Sequence, residues 1–357
     1  MDCLEVKSKK YMMKHIAEEN LKQILDRQNR RAMLCVILLA VIALFLGCGM
    51  LMFGNTNYSM AEVWSYLLGK GSGSGAYAIG SVRLPKLVVG GLAGFAFGVS
   101  GYTFQSLLRN PLASPDIIGV TAGSSAAAVF CILILGISGA VASGFAVVAG
   151  LGVTGVILLL SGRGKAFGSR MILIGIGFQA MLNALISWML LKGSEYDVGT
   201  ALRWLRGSLN SVQMSDVPVT LVVTVITAGL LFYCNRYLQM MQLGDEYATA
   251  LGVPIQETRI CCLLAALILS ATATSVTGPI ASVAFLSGPI AGRIAPGSRK
   301  TMALSGLVGV ILVYGAELVS KNVFSTSYPV GVITGLLGAP YLLLLLLNLN
   351  KKGEKST

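Results

Sequence analysis

Long apolar runs broken by short polar segments repeat along almost the whole chain. Ten can be drawn, at 33–53, 87–108, 117–135, 139–160, 171–191, 217–234, 260–277, 279–292, 302–320 and 330–348. Most approach the roughly 20 residues a helix needs to cross the hydrocarbon core of a bilayer, and 279–292 falls short of it. The pattern predicts an all-α polytopic membrane protein of about ten transmembrane helices. Residues 1–32 form a basic tail, 33–350 the transmembrane domain and 351–357 a short C-terminal tail.

Composition agrees. The chain is 55% hydrophobic and only 12% charged, with a mean hydropathy of +0.76, where soluble domains carry roughly 25% charged residues. The net charge of +12 suggests nucleic acid until it is mapped onto the runs. With the N-terminus inside and strict alternation, only Lys70, Arg83, Lys86, Lys192, Arg203, Arg206 and Lys321 fall outside. The other Lys and Arg fall inside, as the positive-inside rule requires for an even number of spans with both termini cytoplasmic. The charge therefore reflects topology and attraction to anionic membrane lipid, not nucleic acid. The seven cysteines form no CxxC and lie mostly in apolar runs, where cysteine behaves as a small apolar residue.

Local signals refine this. Ser59 and Glu62 have capping-box spacing and predict a short helix from Met60. GKGSGSGAYAIGS (69–81) reads as a flexible outer connector. It is no phosphate loop, because Lys70 and Lys165 are followed by Gly and Ala. Gly90, Gly94 and Gly98 repeat every four residues and predict close helix packing. QSLLRNPLASPDIIGV (105–120) stops an apolar run with Arg109, Asn110, Pro111 and Pro115. It is either a capped cytoplasmic turn with Asp116 at a helix N-terminus, or a broken entry into the third span lining a path or gate. LGDEYATALG (243–252) can form a short amphipathic helix with Leu243, Tyr247, Ala250 and Leu251 on one face, ended by Gly252 and Pro254. That helix is either a plain surface element or a docking site for a cytoplasmic partner.

Enzymatic chemistry lacks its parts. The single histidine, His15, lies in the polar tail, and the spans hold no carboxylate cluster. Neither a metal cage nor a Ser-His-Asp set can be assembled, and no cofactor is expected. Polar groups in or beside the spans are few: Gln105, Asp116, Gln179, Asn183 and Glu317, the last one turn before Lys321.

RLPKLVVGGLAGFAFGVSGYTFQSLLRNPLASPDIIGVTAGSSAA (83–127) resembles the hallmark of FecCD-type permeases. Further matches are RWLRGSL (203–209), LGDEYATALGV (243–253), Gly278-Pro279-Ile280 and YPVGVITGLLGAPYLLLLL (328–346), so the resemblance spans roughly 33–350. It implies the fold of a type II ABC importer permease in the cell membrane, with an inverted repeat relating spans two to five to spans seven to ten. The permease would import an iron-siderophore chelate; haem or cobalamin is the alternative within the family, and a secondary carrier of an amphipathic solute the alternative outside it. The implied partners are a second permease subunit, identical or paralogous, two ATPase subunits and an extracytoplasmic solute-binding protein. By motif, Gln105, Asn110, Pro111 and Asp116 would shape the path or gate. Leu243, Gly244, Tyr247, Ala248, Leu251 and Gly252 would form the helix coupled to the ATPase, and Arg83, Lys86 and Lys321 would dock the binding protein. The family's Pro-His pair in the eighth span is replaced here by Gly288-Pro289, and its RLPR by RLPK.

Overall fold

The computed structural model describes residues 2–54, 56–69, 74–162, 167–324 and 326–353. Expectations resting on Lys70, on Arg163 and Lys165, and on the side chains of residues 1–25, His15 included, lie outside what is described. Every element is helical: α1 (Asp2–Met52), α2 (Met60–Leu67), α3 (Ser74–Tyr77), a π-helical turn (Ala78–Arg83), α4 (Leu84–Leu108), a 3-10 turn (Pro115–Ile118), α5 (Val120–Leu133), α6 (Ala140–Ser161), α7 (Phe167–Lys192), α8 (Glu195–Leu205), α9 (Asp216–Met241), α10 (Asp245–Ala250), α11 (Ile255–Thr277), α12 (Val283–Ile294), α13 (Thr301–Asn322) and α14 (Val330–Gly353). Among the described residues seven helices are long and apolar enough to cross a membrane, α5 and α12 are shorter apolar helices, and the described side chains of α14 give an apolar stretch over Val330–Leu345. Together they occupy the ten predicted runs. The short eighth run becomes α12, which starts only after the non-helical segment 278–282.

Three details depart from the sequence reading. The second half of the 69–81 connector is helical and feeds α4 through α3 and the π-helical turn. The tail boundary at 32 is not a structural break, since α1 runs through it. The amphipathic α8 was not anticipated. Its cap was visible in the sequence: Ser194 Oγ accepts from the Asp197 backbone N–H at 3.3 Å and donates to the Asp197 carboxylate at 2.6 Å. The Ser59 box forms as expected, with the Ser59 N–H donating to Glu62 Oε2 at 2.7 Å and the Glu62 N–H returning to Ser59 Oγ. The hydrogen bonds from Ser59 hold the Glu62 carboxyl below its ordinary value.

The centre of the bundle is α4 and α11, packed against α9, α12 and α13. A second group, α5 to α8, shares a smaller core around Val129, Ile186 and Met189. In each half a long buried helix is followed by a break and a short helix. The break at 109–119 follows α4 and precedes α5, whereas that at 278–282 follows α11 and precedes α12, at the opposite end. An inverted repeat requires this arrangement.

The glycine stripe explains how α4 sits so deep. A Cβ on Gly94 would lie 2.7 Å from the Gly309 carbonyl oxygen, on Gly98 2.2 Å from that of Ser305, and on Gly101 1.8 Å from that of Ala284. Backbone thus meets backbone along α4–α13 and α4–α12, where dispersion replaces the hydrophobic drive that lipid cannot supply. Ser305 Oγ donates across this seam to the Gly98 carbonyl at 2.7 Å. Gly98→Ala is expected to push α13 away and cost about 1–3 kcal/mol, typical of overpacking. A thermal melt in detergent checks this, because Gly80→Ala, at a glycine with open space around it, is expected to melt with the wild type.

Candidate functional site

The α4 C-terminus is the hub of the α10 end. Arg109 caps α4 in a left-handed conformation (φ +49°), one of two positive-φ non-glycine residues described. Such a backbone costs of order 1 kcal/mol and persists only where surrounding bonds hold it. Here the Arg109 side chain does so. Its Nε donates to the Met241 carbonyl at the end of α9 at 3.0 Å, and its Nη2 pairs with Asp245, the first residue of α10. Asp245 also pairs with Arg259 Nη2 of α11 at 3.0 Å. Burial pushes the Asp245 carboxyl up, but the Arg259 and Arg109 guanidiniums outweigh it and hold the carboxyl below its ordinary value. The carboxylate therefore ties α4, α10 and α11 together, and Arg109 adds the end of α9.

On one side of the clamp is a cavity of about 520 Å³, lined by Tyr102, Gln105, Ser106, Arg109, Asn110, Pro111, Gln239, Gln242, Gly288, Pro289, Gly292, Gly297, Ser298 and Thr301. Its polar groups are amides and hydroxyls, with one guanidinium and no carboxylate. Gln105 is fixed by donating to the Phe285 carbonyl at 3.0 Å. A Cβ on Gly288 would lie 1.8 Å from Gln105 Oε1, so this glycine makes room for Gln105. Asn110 Oδ1 accepts from the Leu112 N–H at 2.9 Å, which turns the chain at Pro111. Gln242 Nε2 donates to Ser106 Oγ at 3.1 Å and ties α4 to the residue after α9.

On the other side is α10. Gly244 (φ +122°) and Gly252 (φ +80°) bracket it in conformations that side chains disfavour. Ala248 is fully buried and seats the helix. Leu243, Tyr247 and Leu251 point away and are 66%, 70% and 60% exposed. Three large apolar side chains in one row on a charged surface are an unpartnered patch.

Two predicted placements change. Asp116 does not line the cavity with Gln105, Asn110 and Pro111. It is bonded inside its own turn, its carboxylate accepting from Ser114 Oγ at 3.1 Å while Ser114 caps the 3-10 turn, so it sits in the first turn as in the capped-turn reading. Arg83 and Lys86, expected as outer docking charges, are only 7% and 6% exposed. Arg83 donates to the Leu51 and Thr56 carbonyls and lies over the Tyr58 ring. Lys86 donates to Asn210 Oδ1 and lies 3.9 Å from Glu317, which pairs with Lys321 at 2.6 Å. These cations already have partners, because a buried charge left without them would be prohibitive. Asp245, Arg259, Gln239 and Gln242 were missed as site residues. Only their clustering in and beside 236–259 pointed to them.

Comparison with known proteins agrees with this architecture. The FecCD transport family matches residues 37–348. The ferric enterobactin transport system permease protein FepG of Escherichia coli is 34% identical, over 91% of this chain and 98% of that protein. The Fe(3+)-citrate import system permease protein YfmE of Bacillus subtilis is 32% identical over 90% and 96%. The cobalamin import system permease protein BtuC of Halobacterium salinarum is 31% identical over 75% and 73%. A solved chain described as a metal-chelate type ABC transporter in an inward-facing conformation superposes with a TM-score of 0.77 at 22% identity, over 88% and 99%. The chain belongs to the FecCD transport family.

Proposed function

We propose that this chain, as a FecCD family member in the cell membrane, is the permease subunit of an ATP-driven importer that carries a ferric-siderophore chelate inward. One observation carries the reading: an exposed apolar row on α10 is held by a single carboxylate clamp to the wall of a polar cavity. In this reading α10 is the coupling helix and seats in a separate ATPase subunit, so the α10 end is cytoplasmic. Motion of α10 reaches the cavity wall through Asp245, Arg109 and the α4 C-terminus. A second permease subunit completes the path. Asn183 and Ser187 favour this, because they are exposed in mid-span on α7, where lipid contact would be costly and a partner or water would not be.

The cavity chemistry supports a ready-made chelate over a bare metal ion. Amides, hydroxyls and one arginine suit a polar, anionic complex, whereas a naked cation needs carboxylate or imidazole ligands. Relatives named for ferric enterobactin and Fe(3+)-citrate favour iron chelates. The test is ATPase activity of the purified chain in lipid discs, alone and with a co-expressed ATPase subunit and binding protein. Activity is expected only in the complex, and is expected to rise with loaded binding protein. A chain that assembles with no ATPase subunit would overturn the reading. Uptake of ferric siderophore, haem and cobalamin by the same complex then identifies the cargo.

A further inference from the structure

We propose that Gln105 is a positioning residue of the transport cycle. Its side-chain amide replaces the peptide N–H that Pro289 lacks, and so holds a jointed α12 as a movable wall of the cavity. This rests on the importer reading above. Pro289 lies inside α12. A proline there has no N–H to donate, so the carbonyl four residues earlier, that of Phe285, has no i+4 donor in its own helix. The bilayer core offers no water in exchange, and a proline is tolerated in a span where a neighbour satisfies the freed group. The neighbour here is Gln105 of α4, whose Nε2 donates to that same Phe285 carbonyl at 3.0 Å. Gly288, just before the proline, leaves the space in which the amide sits, since a Cβ there would lie 1.8 Å from Gln105 Oε1. An apolar side chain would fill the same volume. Only a donor matches the carbonyl that the proline frees.

The two halves of α12 are held differently. The first half is fixed to α4, where Gly101 lets the Ala284 carbonyl come into backbone contact. Its Ser287 Oγ donates back to the Val283 carbonyl at 2.7 Å, a bond of the kind that bends helices. Beyond the proline, Gly292 has open space around it, and Gly288, Pro289 and Gly292 all line the cavity. Residues 289–294 therefore form a wall jointed at Gly288-Pro289, and Gln105 holds the joint. The same residue reaches the clamp. Its backbone carbonyl accepts from the Asn110 N–H at 3.1 Å, in the turn that ends α4 beside Arg109. Gln105 thus touches the α4 cap through its backbone and the α12 joint through its side chain. Motion of α10 that arrives through Asp245 and Arg109 is passed by Gln105 across the cavity to its α12 wall. Displacement of that wall widens the cavity for a bulky cargo.

The experiment is a double-mutant cycle between Gln105→Leu and Pro289→Ala. It is read by thermal melting of the full chain in detergent and by ATP-driven uptake of the assembled importer in vesicles. Gln105→Leu keeps the volume and removes the donor. It is expected to lower the melting temperature by a few degrees and uptake at least about tenfold. Pro289→Ala restores the missing N–H. It is expected to melt no lower than the wild type and to make Gln105→Leu nearly silent in the melt. Uptake should stay low in Pro289→Ala and in the double variant, because a continuous α12 is bonded but has no joint. Gly288→Ala, which forces the amide off Phe285 without removing it, is expected to repeat Gln105→Leu in both readouts and serves if that variant does not fold. Hydrogen exchange over 288–294 is expected to rise when ATP is added to the wild-type complex and to stay flat in Pro289→Ala. Additive melting losses in the double variant would overturn the replacement of the N–H. Recovery of uptake along with stability, normal uptake with Gln105→Leu, or exchange that ignores ATP in the wild type would each overturn the positioning role. A wild-type complex without ATP-driven uptake would bring down the importer reading and that role together, while the melting cycle would still read the bond.

Discussion

Leu251→Asp is expected to leave the protein folded and inserted, yet reduce its affinity for the ATPase subunit about 100-fold and abolish uptake. Leu251 is 60% exposed, so the change removes no internal packing and should not move the melting temperature. Its neighbours in the row are Tyr247 and Leu243, while the helix is seated from its other side by the buried Ala248. Residues of this kind at the centre of a contact cost about 2 kcal/mol or more when truncated. Burying a carboxylate without a partner adds further cost, because its hydration is lost and nothing replaces it. Leu251→Ala should therefore fall between, at roughly 30-fold, and Leu251→Met should be nearly silent. The measurement is co-purification with the ATPase subunit, followed by titration in discs. A Leu251→Asp variant that binds and transports normally would return α10 to the status of a plain surface helix and favour a secondary carrier.

The ten spans were legible because burial in lipid writes itself into every residue of a run. The Gly90-Gly94-Gly98 stripe and the Ser59–Glu62 cap were legible for a related reason: each depends on neighbours within a few residues. Helix α8 escaped because EYDVGTALRWL is neither apolar throughout nor long, and only Ser194 before Asp197 announced it. The charged residues were the hardest to place. Alternation puts Arg83 and Lys86 at an outer boundary, but it cannot say that the Leu51 and Thr56 carbonyls or Glu317 wait there, since these partners are non-local. A cation counted for topology can thus be spent inside the fold. Asp116 falls to the capped-turn reading that the sequence had left open, as its partner Ser114 is two residues away. The candidate cavity was half legible. Gln105, Asn110 and Pro111 stood out as polar or helix-breaking groups in an apolar stretch. Gln239, Gln242 and Thr301 did not, because only the packing of α9 and α13 against α4 brings them there.

Asp245→Ala is expected to separate docking from transport. The ATPase subunit should still bind, since Leu243, Tyr247 and Leu251 are untouched, but uptake and stimulation by loaded binding protein should fall roughly 5- to 150-fold, the range of ordinary coupling energies. Global stability should change little. Asp245 and Arg109 are each close to half exposed, and ion pairs of that kind contribute at most about 1 kcal/mol each. The loss falls on geometry: without the carboxylate, Arg109 keeps its bond to the Met241 carbonyl but loses its tie to α10, and Arg259 loses its tie altogether. Asp245→Glu should recover part of the coupling, while Asp245→Arg, beside two existing guanidiniums, should be worse than Ala. The pH dependence follows from the direction of the Asp245 shift. Its carboxyl is held below its ordinary value in the folded protein, so the clamp is complete above that ordinary value and opens as pH falls through the lower, folded one. Coupling measured above roughly pH 5 should therefore show no titration of this group. Equal losses of ATPase binding and of uptake in Asp245→Ala would make Asp245 a docking residue. Unchanged stimulation would mean that motion passes from α10 to the cavity by the packed backbone of α9 and α11 alone.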